Sequence, residues 1–257
     1  YDYTTVWVNL KDVNDNQPKF MQDRYTSSVW EGNSRGTYVT QILATDADQA
    51  DNGYITYRII SGNTNDAFVL DPPNTGIVKT NFILDREIQA TYRLEIEAVD
   101  SGTLPLSSVC TLRIQIIDIN DNAPFFPRYP LMEIKEGTEP GTFVLQVTAN
   151  DRDLSPVLNY DFAPDGNPDN AFSIDRYSGR IAVAKVLDYE YTPQYRLVVQ
   201  ASDEEHVQTT EIVVNLQDEN DNPPTFSQQS YQVALPENTE PLYSVITVEA
   251  SDRDDGD

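Results

Sequence analysis

The sequence predicts an all-β chain built of tandem antiparallel β-sandwiches of roughly 100 residues each. Three observations carry this. Apolar and polar residues alternate with a period of two in several stretches. The run Asp-x-Asn-Asp-Asn begins at residues 12, 118 and 218, so its copies lie 106 and 100 residues apart. Gly, Pro, Asn and Asp punctuate the alternating stretches, and no stretch shows the helical period.

In chain order, residues 1–16 read as the end of a first unit. Val6, Val8 and Leu10 alternate as the buried face of a strand, with Trp7 outward, before Asp12-Val-Asn14-Asp15-Asn16. Residues 17–122 form a complete unit. Glu31 closes an alternating stretch, with Trp30 outward beside it. Asp46 and Asp48 follow, then Leu84-Asp85-Arg86-Glu87. Tyr92, Leu94, Ile96 and Ala98 mark a strand that ends at Asp100. Leu112, Ile114 and Ile116 mark the last strand before the run 118–122, and Cys110 reads as a buried free thiol. Residues 123–222 repeat the order: Glu136, Asp151/Asp153, Leu187-Asp188-Tyr189-Glu190, then Tyr195, Leu197, Val199 and Ala201 with Asp203, and Ile212, Val214 and Leu216 before the run 218–222. Residues 223–257 open a fourth unit with Glu237 and Asp252/Asp254. Pro and Phe follow every run, as Pro18/Phe20, Pro124/Phe125 and Pro223/Phe226. A chain that starts and ends inside units is expected to belong to a longer protein.

Charge narrows the function. Asp and Glu number 42 against 17 Lys and Arg, a net charge of −25. Nucleic acid is a poor partner for such a chain, because phosphate contacts need clustered cations. Fifteen Tyr and nine Phe set it apart from a disordered acidic segment. No apolar run approaches the ~20 residues of a membrane span. One Cys allows no internal disulfide, and one His leaves little for zinc or nucleophile chemistry. His206, beside Glu204 and Glu205 and without a repeated counterpart, reads as a solvated loop residue. A glycosidase needs one carboxylate pair in one cleft, whereas these acids recur in every unit, so an enzyme is not expected. The sequence has no Asn-x-Ser/Thr sequon.

The recurring acids lie off the alternating core positions, where strands end. If units stack end to end, each Asp-x-Asn-Asp-Asn run falls in a connector. The connector 118–122 then adds Asp118 and Asp121 to Glu31, Asp85, Glu87, Asp151, Asp153 and Asp203, eight carboxylates in one small volume. Such a cluster repels itself or takes up protons unless cations neutralise it. Its carboxylates, amide oxygens and carbonyls suit a hard divalent cation with six to eight oxygen ligands, which favours calcium over magnesium. An EF-hand does not fit: Asp46, Asp48 and Ala50, like Asp252, Asp254 and Gly256, fail at the fifth position.

These motifs resemble the extracellular repeats of the cadherin superfamily, over the whole chain, as two complete and two partial repeats. The resemblance implies seven-stranded Greek-key sandwiches joined end to end by linkers that each bind up to three calcium ions. It implies that two ions at the middle linker use Glu31, Asp85, Glu87, Asp118, the Ile119 carbonyl, Asp121 and Asp153. The third uses Asn120, the Asn122 carbonyl, Asp151, Asp153 and Asp203. At the next linker Glu136, Asp188, Glu190, Asp218, the Glu219 carbonyl, Asp221 and Asp254 take the first role, and Asn220, Asn222, Asp252 and Asp254 the second. At the first linker Asn14, Asn16, Asp46, Asp48 and Asp100 can build a third-ion site, with Asn52 as an added carbonyl ligand and Asp12 and Asp15 left from the other two.

One departure stands out. Asp151-Arg152-Asp153 is followed by Leu154-Ser155-Pro156-Val157-Leu158-Asn159 rather than an Asn-Gly turn. The added ligand there is expected near Asn159 or missing, with a weaker third ion. The resemblance further implies extracellular, calcium-dependent, homophilic cell–cell adhesion by a single-pass plasma-membrane parent. The alternatives are a stiff spacer whose adhesive face lies in other repeats, or a heterophilic receptor or ligand. Trp7 and Trp30 do not match the strand-swapping Trp of the outermost repeat.

Overall fold

The structure, a computed structural model, describes residues 1–154 and 156–254. They divide between residues 121 and 122 into two compact units.

The first unit is a sandwich of seven strands, two of them broken into short segments. One sheet orders β2 (Arg24–Trp30), β9 (Ser107–Ile117), β8 (Thr91–Val99) and β5 (Thr56–Ser61). The other orders β3 (Tyr38–Gln41), β7 (Ile77–Thr80) and β6 (Phe68–Leu70), and β1 (Lys19–Phe20) pairs with β4 (Ala44–Thr45) as a separate two-stranded sheet. The alternation read from sequence is the burial pattern: Tyr92, Leu94, Ile96 and Ala98 on β8 and Leu112, Ile114 and Ile116 on β9 all face the core. Each of these Leu and Ile side chains stabilises the fold by about 1.5–3 kcal/mol relative to exposure. Cys110 is buried among them, and burial pushes its thiol up to about 11.

The second unit repeats this plan. One sheet orders β10 (Met132–Lys135), β16 (Val207–Gln217), β15 (Gln194–Ser202) and β12 (Asn159–Phe162). The other orders β11 (Phe143–Gln146), β14 (Arg180–Val183) and β13 (Phe172–Ile174). Packing details recur with the plan. Phe68 meets Tyr92 edge-on at 5.0 Å, and Phe172 meets Tyr195 at 5.3 Å. Asn63 closes a loop by bonding both backbone groups of Phe68, and Asn167 does the same for Phe172.

Two features differ from the sequence reading. The sandwich is not wholly antiparallel: β2 runs parallel to β9, and β10 parallel to β16. A long stretch of chain separates each pair, so no hairpin constrains their direction. Residues 1–18 form no strand, and Val6, Val8 and Leu10 are 76, 75 and 94% exposed. A strand is held by its neighbours, and among the described residues none pairs with this segment. Residues 223–254 likewise form only β17 (Thr225–Phe226) paired with β18 (Ala250–Ser251). Trp30 does point outward, at 57% exposure.

Candidate metal centres

The parallel pairing places the first acid. Trp30 is in register with Ile117, and the Glu31 amide donates to the Ile117 carbonyl at 3.0 Å. Glu31 therefore lies beside the start of the run 118–122. Its carboxylate is only 2% exposed, and two backbone amides justify that burial: Ile119 N donates to Oε1 at 2.7 Å and Arg86 N to Oε2 at 2.6 Å. Leu84, packed in the core, anchors the run that carries Asp85 and Glu87. Ligand atoms of Glu31, Asp85 and Glu87 lie within 4.8 Å of one another. Burial and the Glu31 carboxylate hold the Glu87 carboxyl above its ordinary range. Arg86 reaches into this cluster and pairs with Asp118 and Glu87. In the connector, the predicted carbonyl ligand Ile119 O accepts from Asp121 N at 2.8 Å, and Asn120 is half-buried.

The second unit builds the same base. Glu136 accepts from Glu219 N at 2.8 Å and from Tyr189 N at 2.7 Å. Asp188 and Glu190 lie within 4.8 Å of it, and Glu190 groups in the same way with Asp218 and Asp254. The Glu190 amide favours ionisation of its own carboxyl, but burial and the Glu136 and Asp221 charges leave it raised. Asp254 is tied to the run 218–222 by Asn222, whose N and Nδ2 donate to its two oxygens at 3.0 and 2.8 Å. Asp252 accepts from Asp254 N at 3.2 Å, and Asn222 Nδ2 also donates to Asp221. Glu219 turns its side chain to Lys135. Asn220 is exposed.

At the other end of the second unit, Asn122 holds Asp153 by the same two bonds, at 3.1 and 2.8 Å. Asp151 accepts from Asp153 N at 3.0 Å. Asp151, Asp153 and Asp203 form a third acid group within 4.8 Å. Burial opposes ionisation of Asp203, but the His206 and Glu205 amides and the His206 ring hold its carboxyl below the usual range. His206 stands in the loop between β15 and β16, where its Nδ1 also lies 3.3 Å from Asp203 Oδ2. Adjacency in sequence gave no signal of this, because the hairpin between β15 and β16 makes the contact. Asn159 opens β12 opposite Ser202, and its Oδ1 accepts from Arg176. Ser155 lies outside the described residues.

The first unit gathers the counterparts at its own start. Asp48 Oδ2 accepts from Asp15 N and Asn16 N at 3.1 and 3.0 Å, and bonds from Asn16 hold its carboxyl below the usual range. Asp46 accepts from Asp48 N at 2.9 Å. Asn14 Nδ2 donates to Asp100 Oδ1 at 3.1 Å, and Asp12 accepts from Gln49 N and Asn52 Nδ2. Here the Asn52 side chain, not only its backbone, takes part. Gly102 permits the convergence, since a Cβ there would sit 2.2 Å from Asn14 Nδ2 and 3.1 Å from Asn52 Oδ1.

Four oxygens test whether these residues suit a cation. Asn14 Oδ1, Asp46 Oδ2, Asp151 Oδ2 and Glu190 Oε1 are buried without a hydrogen-bond partner among the described residues. Buried polar atoms are normally satisfied. Orphan oxygens on four expected ligand residues fit a hard cation.

Comparison with known proteins agrees with the fold. The Cadherin domain family matches residues 25–117 and 130–217. The chain is 41% identical to Protein dachsous of Drosophila melanogaster over 98% of its own length, and 41% identical to human Protocadherin-23 over 97%. It spans only 8% and 7% of those proteins. The crystal structure of mouse cadherin-23 EC22-24 superposes with a TM-score of 0.78 at 30% identity, covering 94% of this chain and 80% of that one. Protocadherin gammaB7 EC3-6 gives 0.83 at 29%, covering 96% and 63%. Cadherins are extracellular adhesion proteins and not enzymes, and this chain belongs to the cadherin family.

Proposed function

We propose that the chain is part of a calcium-dependent cell-adhesion ectodomain, with junction acids that switch a connector between hinge and strut. The observation that supports this best is the set of orphan oxygens on Asn14, Asp46, Asp151 and Glu190. The repeats are taken as 17–122 and 123–222, with parts of repeats at 1–16 and 223–257.

Two junctions illustrate the mechanism within single units. Around the run 12–16, connector residues Asn14, Asp15 and Asn16 already bond Asp48 and Asp100. Around the run 218–222, Glu190 and Asp218 meet Asp254, so acids of 123–222 and of the following segment come together. Calcium supplies two positive charges and a demand for several oxygens at once. The chain's own part is to hold the acids at the strand ends, tie the connector amides to them, and leave oxygens unsatisfied. Without neutralisation the carboxylates repel and the connector loosens; with it, ordering and ion binding stabilise each other. Extracellular modules bind calcium at about 10⁻⁴–10⁻³ M, so the strut forms outside cells. The run 118–122 has the same residue order, and we assign it the same role.

Homophilic pairing through a membrane-anchored parent is the adhesive mode we propose, and a spacer is the competing reading. Sedimentation velocity in calcium and in chelator tests both. Elongation in calcium without self-association supports a spacer, and dimers in calcium support an adhesive surface here. No change in shape or mass refutes the switch.

A further inference from the structure

The solvent face of the four-stranded sheet in the first unit carries a cluster that adhesion through the junctions leaves unused. Arg24 and Thr26 on β2, Thr111 and Arg113 on β9, and Thr91 and Arg93 on β8 line one open groove of about 550 Å³. Register builds it. Arg24 lies opposite Thr111, Thr26 opposite Arg113, and Arg113 opposite Arg93 on its other side. The intervening Tyr92, Leu94 and Leu112 point into the core, so these six share the outer face.

Two arginines directly opposite each other across a ladder repel. Among the described residues, none of Arg24, Arg93 and Arg113 makes an ion pair. Glu95, the acid on the same face of β8, accepts instead from the Ser61 hydroxyl at 2.8 Å. The second unit shows what a self-satisfied version looks like. Arg196 takes the place of Arg93, faces Val213, and pairs with Glu211 at 3.0 Å. At those two positions the first unit has Arg113 for Val213 and Thr111 for Glu211. The partner acid has become a hydroxyl with Glu95 facing it where the second unit has Val198, and the apolar neighbour has become a second cation. In a chain of net charge −25, three arginines against the single facing carboxylate of Glu95 make this a local reversal of sign.

We infer that this groove binds a sulfated polysaccharide. Guanidinium forks match sulfate geometry and keep their charge at every physiological pH, and the threonine hydroxyls add donors between them. An acidic protein surface fits less well. Protein interfaces rely on aromatic and apolar anchors at their centre, and the one such residue on this groove, Tyr25, is half-buried with its hydroxyl engaged at Leu43 O and Gln22 N. A hydrophilic, multiply charged chain needs no such anchor.

The test is calorimetric titration of the whole 257-residue chain with a heparin oligosaccharide in calcium-containing buffer, with unsulfated heparosan and inorganic sulfate as controls. Binding that requires sulfation, exceeds that of free sulfate and weakens steeply with added salt is expected. The substitution Arg113→Val installs the residue that faces the arginine in the second unit and removes one of the two opposed guanidinium groups. It should weaken binding by about tenfold or more with no change in melting temperature. Glu211→Thr/Val213→Arg should strengthen binding by adding a second groove. Unchanged affinity in the first variant, or equal binding of unsulfated chains, overturns the proposal. So does absent heparin binding with self-association that the same variant abolishes, which would assign the groove to an acidic protein surface. None of these outcomes depends on the junction acids, so calcium-dependent adhesion is judged separately.

Discussion

Arg86 pairs with Asp118 inside the Glu31 acid cluster, and a second guanidinium nitrogen holds Glu87. The first unit thus carries one of its own cations among its candidate ligands. In the second unit Tyr189 takes that place: its amide donates to Glu136 as the Arg86 amide does to Glu31, but its side chain brings no positive charge. A guanidinium competes with an incoming cation for Glu87 and Asp118 oxygens, and it also relieves their repulsion when no ion is present. Arg86→Gln should therefore raise calcium affinity at this cluster by about fivefold, the equivalent of an ion pair of roughly 1 kcal/mol, and lower the melting temperature in chelator. Tyr189→Arg should do the opposite at the Glu136 cluster. Calorimetric calcium titration and melting in chelator read both effects, and shifts of the same sign from the two substitutions would refute the competition.

Glu31 plays a different part from its neighbours. It is the acid that accepts two backbone amides in the interior, from Arg86 and Ile119. Glu31→Ala leaves both donors without their partner, at about 1–3 kcal/mol each, so it should destabilise the unit in calcium and in chelator alike. Asp85 accepts from Ile88 N through Oδ1, a bond that Asp85→Asn keeps. That substitution should leave melting in chelator nearly unchanged and cost stability only in calcium. Thermal melts of both variants in the two buffers distinguish a structural acid from a ligand, and equal behaviour would refute the division.

Much of this was legible in the residues, and what was not has a physical reason. Period-two alternation told which side chains of β8, β9, β15 and β16 are buried, because the pleat alone sets that. It could not tell that β2 runs parallel to β9, because alternation carries no information about a strand's neighbour. For the same reason Val6, Val8 and Leu10 read as a buried face although the segment pairs with nothing among the described residues. The acids Glu31, Asp100 and Asp203 were found through recurrence. Arg86 at Asp118, His206 at Asp203 and the three-arginine groove were missed, because each depends on a register or a hairpin and on residues that do not recur between units.

Asp46 and Asp151 present matched geometry. In each, Oδ1 accepts the amide two residues on, and Oδ2 is buried without a partner. Asp46→Asn and Asp151→Asn can keep the accepting oxygen and put an amide nitrogen where the orphan oxygen was. In chelator each variant should melt at or above the parent temperature, since a mutually repelling charge is gone. In calcium each should lose one weak phase of the titration, together with most of the calcium-dependent rise in melting temperature from that end of its unit. Retention of every phase in both variants would remove these residues from the ligand set.

Cys110 supplies a pH-dependent readout of folding that is independent of the junctions. Burial pushes its thiol up to about 11, against about 8.5 for an unfolded cysteine. The folded state therefore favours the protonated form, and the stability this contributes is fully present below about pH 8.5. It declines as pH rises towards 11, where the unfolded chain ionises first. Two outcomes follow. Native protein at neutral pH should react with a thiol reagent only as fast as it opens, many times slower than in denaturant. Cys110→Ala, though destabilised by the cavity it leaves, should lose part of the stability decline between pH 8.5 and 11 that the parent shows in denaturant melts. Rapid labelling of the folded chain, or identical alkaline slopes in parent and variant, would show that the thiol is not shielded as its burial requires.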